Sequence, residues 1–217
     1  MILTVGNTKG GVGKSTLAVN LAVARAAAGY DVLLVDGDEQ ATATIFSDTR
    51  AEELGSTGYT VASLRGKALR DQVQKFAPKY DDIIIDVGGR DTGSLRAALT
   101  VSDILLIPIR PRSPDLWALD DITPLIEEAR LPNPNLRALV VINAADARGK
   151  DNKETAKVVQ KREAVELLNL TIGNRKVFSD ALSYGRAVTE YKPSDTQAIE
   201  ELQRLIELLY IKENAKV

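Results

Sequence analysis

A glycine-rich stretch near the start of the chain, "VGNTKGGVGKST" at residues 5–16, restricts the possible folds more than any other segment. It follows a short apolar run at 2–6 and precedes an alanine-rich run at 14–28 that stops at Gly29. Glycine lets the backbone approach an anion and turn its N–H groups inward, and the start of a helix adds a partial positive charge. The pattern therefore predicts a strand, an anion-binding loop and a helix in succession.

The loop matches the phosphate-binding pattern G-x-x-x-x-G-K-[ST] except at its first position, where Thr8 replaces glycine. In that pattern Lys14 reaches the β- and γ-phosphates of a nucleotide such as ATP, and the Ser15 hydroxyl binds Mg²⁺. A second lysine, Lys9, stands in the loop where the pattern specifies nothing. The residues expected to bind the nucleotide are Gly10, Gly11, Val12, Gly13, Lys14, Ser15 and Thr16.

Short apolar runs alternate with helical patterns along the rest of the chain. Their nearly continuous, β-branched hydrophobicity is typical of strands buried on both faces of a parallel sheet. We predict a doubly wound α/β fold, with a mostly parallel sheet, helices on both faces and a single domain over 1–217. The predicted strands are 2–6, 31–36, 82–87, 103–109, 136–143 and 174–178, the helices 14–28, 114–130 and about 195–210, and the irregular loops 51–66 and 144–157.

The composition excludes several classes of chemistry. The chain contains no cysteine and no histidine, which excludes disulfides, thiolate metal sites, iron–sulfur clusters and a histidine base. No apolar run approaches the ~20 residues of a membrane span, and Met1 leads directly into a predicted strand. We therefore expect a cytoplasmic protein without a membrane partner.

Three aspartates stand at the ends of predicted strands: Asp36, Asp38 and Asp86. Ligands of parallel sheets gather at the carboxyl ends of the strands, and a carboxylate is the available general base in a chain without histidine. Any one of these residues alone could instead cap the turn that follows its strand. Three together beside a phosphate-binding loop favour a site for a nucleotide and Mg²⁺.

Several segments in order resemble the ParA/MinD ATPases, which carry a deviant Walker A motif. "KGGVGKST" with its leading Lys9 resembles that motif, and the chain as a whole resembles the small ParA type. The resemblance implies a homodimer that sandwiches ATP, in which Lys9 contacts the phosphates bound by the partner. The other matching segments are "LLVDGDEQATAT" (33–44), "YDDIIIDVGG" (80–89), "SDILLIPIRPRSPDLWAL" (102–119) and "DALSYGRAVTEYKPSDTQAIEEL" (180–202).

The resemblance also implies roles for individual residues. Asp38 would orient or activate the attacking water, Asp36 would support the Mg²⁺ shell, and Asp86 would hold Mg²⁺. Asn143, at the end of a predicted strand, would contact adenine; a turn residue at the strand end is the alternative. Arg90, after the Walker B strand, departs from the family pattern, and we assign it no role.

A local block of positive charge lies in residues 148–192, with 10 Lys+Arg against 6 Asp+Glu, although the whole chain has a net charge of −2. Such a block is usually a solvated face. The resemblance implies non-specific binding to double-stranded DNA through phosphate contacts, and hence association with the nucleoid. The expected DNA contacts are Arg175, Lys176 and Arg186, followed by Lys150 and Lys153.

The resemblance implies a cycle in which a ParB-like or other adaptor protein stimulates hydrolysis and a cargo is partitioned or positioned. That cargo is a plasmid or chromosome or, as an alternative, a protein body such as a carboxysome. A MinD-like membrane switch is the other alternative, and it is disfavoured by Glu200, Glu201 and Glu207 on the last predicted helix. Trp117 is expected in the core or in the dimer interface.

Overall fold

The computed structural model describes residues 1–89, 92–146 and 151–210. These residues form one seven-stranded sheet in the order β3-β2-β4-β1-β5-β6-β7, and every pair of neighbouring strands is parallel. The fold is therefore the expected doubly wound α/β architecture. The strands are β1 (Ile2–Val5), β2 (Val32–Asp36), β3 (Thr60–Ser63), β4 (Asp82–Asp86), β5 (Ile104–Ile109), β6 (Arg137–Ala145) and β7 (Glu166–Gly173).

Helices cover both faces of the sheet. They are α1 (Lys14–Ala27), α2 (Thr42–Leu54), α3 (Gly66–Phe76), α4 (Thr92–Leu99), α5 (Ser113–Arg130), α6 (Asp151–Val159), α7 (Lys176–Leu182) and α8 (Thr196–Tyr210). Buried side chains of α1, α2, α7 and α8 form one core with alternate strand residues such as Leu34. Those of α3, α4, α5 and α6 form a second core with the intervening residues, such as Leu33 and Val35. This division follows from the period-2 alternation of side chains along a strand.

The register of the central strands brings three chain segments to one edge of the sheet. Val5 of β1 is the Cα partner of Asp86 of β4, and Asp86 is in turn the partner of Asp36 of β2. Because the strands are parallel, their carboxyl ends lie side by side. The loop after β1, the turn after β2 and the turn after β4 therefore meet where parallel α/β proteins bind ligands.

The sequence prediction is confirmed for the central strands and is wrong at the edges. Strands β3 and β7 are at the two ends of the sheet and are only partly buried, so neither shows the continuous apolar run that marks a central strand. The predicted strand at 174–178 is wrong: Phe178 and Ala181 are buried three residues apart on α7. The predicted loops are too long, since 51–66 includes the end of α2 and all of β3, and 144–157 includes the start of α6.

Helix α8 packs its apolar face on the sheet, with Leu202 and Leu205 fully buried. The Asp195 carboxylate accepts a hydrogen bond of 3.0 Å from the Ala198 N–H, so Asp195 caps this helix. No helix within the described residues is long and apolar enough to cross a membrane.

A buried arginine joins α2 to the segment between α7 and α8. Arg50 donates hydrogen bonds of 2.6 and 2.7 Å to the two carboxylate oxygens of Glu190, 3.0 Å to the Gly185 carbonyl and 2.7 Å to the Thr57 carbonyl. A Cβ on Gly185 would lie 2.5 Å from the Cα of Arg50, so the two backbones are in direct contact. Arg50 therefore holds three chain segments together.

We predict that Arg50→Ala lowers the free energy of unfolding by roughly 2–3 kcal/mol, because it leaves the Glu190 carboxylate without its charged partner and two carbonyl groups without their donor. Urea denaturation measures the change. The control is Arg204→Ala, which removes an exposed pair with Glu207 and should change stability by less than about 0.5 kcal/mol. Equal effects of the two substitutions would contradict the prediction.

Candidate functional site

A cleft of about 1260 Å³ opens at the carboxyl edge of the sheet. One wall is the loop after β1, and a second is the turn that follows β2. Opposite them lie residues from the ends of β5 and β6 and from α7. Residues 8–16, which include every residue predicted to bind the nucleotide, line this cleft together with Asp38 and Asn143.

Asn143 holds the backbone of the loop in place next to Gly13. Gly13 has φ 93° and immediately precedes α1, in the left-handed region that glycine adopts at little cost. The buried Asn143 amide donates a hydrogen bond of 2.8 Å to the Val12 carbonyl, and a Cβ on Gly13 would collide with that amide. Asn143 therefore positions the loop, while its expected contact with adenine stays a prediction.

The two lysines of the loop have different environments. Lys14 is 6 % exposed, and its Nζ donates a hydrogen bond of 3.0 Å to the Lys9 carbonyl. Burial lowers the pKa of the Lys14 ammonium, and the nearby carboxylates of Asp86 and Asp38 oppose that shift. The Lys9 side chain is exposed at the mouth of the cleft. One cation thus points inward to the loop and the other is presented to solvent.

Asp36 is fully buried, and both of its carboxylate oxygens have partners. One accepts a hydrogen bond of 3.1 Å from the Asp38 N–H. The other accepts bonds of 2.7 and 2.8 Å from the N–H and hydroxyl of Thr44 in the first turn of α2. In this geometry Asp36 caps the turn after its strand and orients the backbone of Asp38.

Asp86 is also fully buried, but neither carboxylate oxygen has a hydrogen-bond partner among the described residues. The pKa of Asp86 is raised to about 7, chiefly by burial; the nearby Ser15 hydroxyl and Lys14 oppose the shift, and the charges of Asp36 and Asp38 add to it. An unpartnered carboxylate beside a phosphate-binding loop is a suitable Mg²⁺ ligand. Mg²⁺ usually binds through one or two carboxylates and the phosphates of its substrate, and Asp86 with Ser15 makes a donor set of that kind.

The two glycines after β4 make room for the rest of the site. A Cβ on Gly88 would lie 2.6 Å from a carboxylate oxygen of Asp38, and one on Gly89 would lie 2.7 Å from the Thr8 carbonyl. Asp38 is thus packed against the turn after β4, and its Oδ1 accepts a hydrogen bond of 3.0 Å from the Gln40 N–H. Arg90 and Asp91, next in the chain, lie outside the described residues.

The residues predicted to contact DNA differ in their exposure and in their ion pairs. Arg175 lines the cleft and is paired with Glu201 at 2.8 Å and with Asp195 at 3.9 Å, so its charge is largely compensated within the chain. Lys176 is highly exposed and lies 3.4 Å from Asp180. Lys153 is exposed on α6, Arg186 is partly buried, and Lys150 lies outside the described residues.

Two features of the site were not anticipated from the sequence. Arg110 lines the cleft directly after β5, and α7 supplies part of the wall opposite the loop. The segment "LLIPIRPRSP" contains Arg110 but no spacing that distinguishes it from Arg112. Trp117 is 66 % exposed at the start of α5, so the structure excludes the core position considered for it.

The fold and the loop together define a nucleotide-binding protein of the phosphate-binding-loop class. Residues 3–188 match the family model described as the CobQ/CobB/MinD/ParA nucleotide binding domain. The chain belongs to this family, which contains the ParA/MinD ATPases that its loop resembles.

Curated relatives and solved structures agree with this assignment. The chain is 26% identical to a maintenance of carboxysome distribution protein A from Halothiobacillus neapolitanus, with 94% of each chain covered. It is 27% identical to the sporulation initiation inhibitor protein Soj from Bacillus subtilis, over 88% of this chain and 91% of Soj. A plasmid partition protein from Borrelia burgdorferi bound to AMPPNP superposes with a TM-score of 0.77 at 20% identity, covering 97% of this chain and 98% of that one.

We predict that Asp86→Asn stabilises the protein at high pH when EDTA removes divalent cations. The folded-state pKa of about 7 exceeds the unfolded value of about 4, so the wild type loses stability as pH rises between them. Urea denaturation should show that the variant gains at most roughly 4 kcal/mol over the wild type at pH 8, and much less at pH 4.5.

The control for this experiment is Asp48→Asn on the exposed side of α2, which should show no such pH dependence. A difference between Asp86→Asn and the wild type that is the same at both pH values would contradict the prediction.

Proposed function

We propose that this protein is a ParA-type ATPase that forms an ATP-dependent sandwich dimer, binds DNA non-specifically and positions a cargo. One observation carries the proposal: the loop holds Lys14 buried beside the site while it presents Lys9 to solvent at the mouth of the same cleft. A loop that served its own nucleotide alone would need only the first of these lysines.

Nucleotide binding begins with the loop and Lys14. In the free protein the Lys14 ammonium is bonded to the Lys9 carbonyl, and the β- and γ-phosphates replace this weak acceptor with charged oxygens. Gly10, Gly11 and Gly13 direct backbone N–H groups to the phosphates, and Thr16 lies in the first turn of α1, whose dipole faces them. Asn143 keeps this loop conformation in place through Val12.

Asp86 and Ser15 would hold Mg²⁺, which supplies positive charge to the phosphate oxygens when it is bound. The orphaned carboxylate oxygens of Asp86 fit that role. Asp36 supports the Mg²⁺ site indirectly, because it fixes the Asp38 backbone and the start of α2. The positive charge of Mg²⁺ would favour the deprotonated form of Asp86.

Hydrolysis requires a group that orients the attacking water, and Asp38 is the residue we propose. Its carboxylate lines the cleft, and Oδ1 is fixed by the Gln40 N–H, which leaves the side chain in a defined position against Gly88. A positioned carboxylate contributes to catalysis by accepting the proton of the nucleophile.

Lys9 completes the site of the partner in the proposed dimer. A fixed cation stabilises the charge that develops on the transferring phosphoryl group, and a closed interface that excludes water strengthens this effect. Lys9 reaches its full set of phosphate oxygens only across the interface, so ATP binding and dimerisation are coupled.

We predict that Lys9→Ala retains nucleotide binding by the monomer and loses dimerisation in the presence of AMPPNP and Mg²⁺. The acceptor for Lys14 is the main-chain carbonyl of residue 9, so the substitution leaves the cis contact intact. Light scattering after gel filtration measures the oligomer, and Lys67→Ala on the exposed face of α3 is the control. A Lys9→Ala variant that dimerises as the wild type does would refute the trans role.

We propose that the dimer binds double-stranded DNA through Lys176, Arg186 and Lys153, with Lys150 and Arg175 as secondary candidates. Lys153 and Lys176 are exposed to solvent, and the pair of Lys176 with Asp180 is itself partly exposed, whereas Arg175 would first have to release Glu201. Two-fold symmetry doubles the number of such cations on the dimer, which favours binding only in the ATP state.

We predict that Arg186→Glu combined with Lys153→Glu weakens ATP-dependent retention of duplex DNA in a gel shift. Each phosphate contact that is lost should also reduce the slope of log affinity against log salt by about 1. Lys75→Glu combined with Lys79→Glu, two exposed positions at the end of α3 and before β4, makes the same change in net charge and is the control. If the double substitution does not affect retention, DNA binds at a different surface of the protein.

An adaptor protein, ParB-like or of another kind, would stimulate hydrolysis and link the dimer to its cargo. A plasmid or chromosome is one candidate cargo, as for the relatives that are named partition proteins. A protein body such as a carboxysome is the second, and the alignments favour it. The alignment with the Halothiobacillus relative is 205 residues long and covers 94% of this chain. The alignment with Soj is 235 residues long but covers only 88% of this chain, so it contains more gaps. Imaging a fluorescent fusion in the native cell, beside labelled plasmid and shell protein, distinguishes the two cargoes.

A further inference from the structure

The end of β5 is fastened to the phosphate-binding loop by a buried asparagine. The Asn7 amide donates a hydrogen bond of 2.8 Å to the Pro108 carbonyl, and its side-chain oxygen accepts one of 3.0 Å from the Lys9 N–H. Asn7 is fully buried, and the Gly6 N–H bonds to the Leu106 carbonyl at 3.0 Å. Residues just after β5 therefore have a fixed position relative to the loop.

Arg110 is the first residue after β5 and extends from this fastened position into the cleft. One of its terminal nitrogens, Nη2, lies 4.0 Å from the place where a Cβ on Gly11 would stand. The guanidinium is thus beside the part of the loop whose backbone N–H groups face an anion.

The guanidinium of Arg110 also lacks compensation within the described part of the chain. Its Nε is buried without a hydrogen-bond partner, and no carboxylate of the described residues forms an ion pair with it. Arg175, which also lines the cleft, is by contrast paired with Glu201. A partly buried, unpaired guanidinium is costly to maintain, and an anion that enters the cleft removes this cost.

We propose that Arg110 binds a phosphate oxygen of the nucleotide in its own subunit, from the β5 side of the loop. The phosphates would then lie between Lys14 on the α1 side and Arg110 on the opposite side. A guanidinium suits this position because it is always charged and its planar fork can bond two oxygens at once. The inference rests on the proposed nucleotide site and adds a residue to it.

Binding of ADP with Mg²⁺ tests the contact, measured by isothermal titration calorimetry at low protein concentration so that the monomer is observed. Arg110→Ala should weaken ADP binding about tenfold or more, the usual effect of losing a charge-assisted hydrogen bond. Arg110→Lys should recover part of the affinity because it keeps the charge. Arg112→Ala is the matched control, since Arg112 is exposed two residues further on, outside the cleft.

The possible results separate this inference from the proposed function. If the wild type does not bind ADP, the nucleotide site itself is refuted. If the wild type binds and Arg110→Ala binds equally well, or if Arg112→Ala weakens binding as much, the phosphate contact of Arg110 is refuted. If the alanine variant is unfolded by circular dichroism, Arg110→Gln, which keeps most of the side-chain volume, decides the question by the same criterion.

Discussion

Val5, Asp86 and Asp36 are Cα partners across three neighbouring parallel strands, and the geometry of the site depends on this register. A shift of one residue in β2 or β4 would turn the carboxylate to the other face of the sheet. The aspartate side chain of β4 would then leave Lys14 without its opposite charge. Two hydrophobic cores, one on each face, hold the register, because all residues of β1, β2, β4 and β5 except Ile2 are buried.

In the free protein the site holds opposite charges that are each shifted towards neutrality. Burial lowers the pKa of Lys14 and raises that of Asp86 to about 7, so it disfavours the charged form of both groups. A nucleotide with Mg²⁺ supplies an anion to the first and a cation to the second. Both groups are destabilised without these partners, so the site gains from the two components together, which favours binding of the metal–nucleotide complex over either alone.

The sequence predicts features that depend on local backbone and burial requirements, and it does not predict contacts that depend on tertiary packing. The loop, the central strands and the three aspartates could be predicted, because glycine spacing and continuous apolar runs reflect local backbone and burial requirements. The edge strands β3 and β7 carry no such run. The partners of Asp36, Asn143 and Arg175 could not be predicted, since Thr44, Val12 and Glu201 are brought to them only by the fold.

Helix α2 is fixed at two points, and the junction between Arg50 and Gly185 is one of them. Near its start the helix is attached to Asp36 beside the site, and further along it is attached to the segment that carries Arg186. About six residues, or roughly 9 Å of helix, separate the two attachments, so a short, rigid part of α2 connects them. The segment that carries Arg186 is thus connected to the carboxyl edge of the sheet by an unbroken series of contacts, from Asp36 through Thr44 and α2 to Arg50 and Gly185.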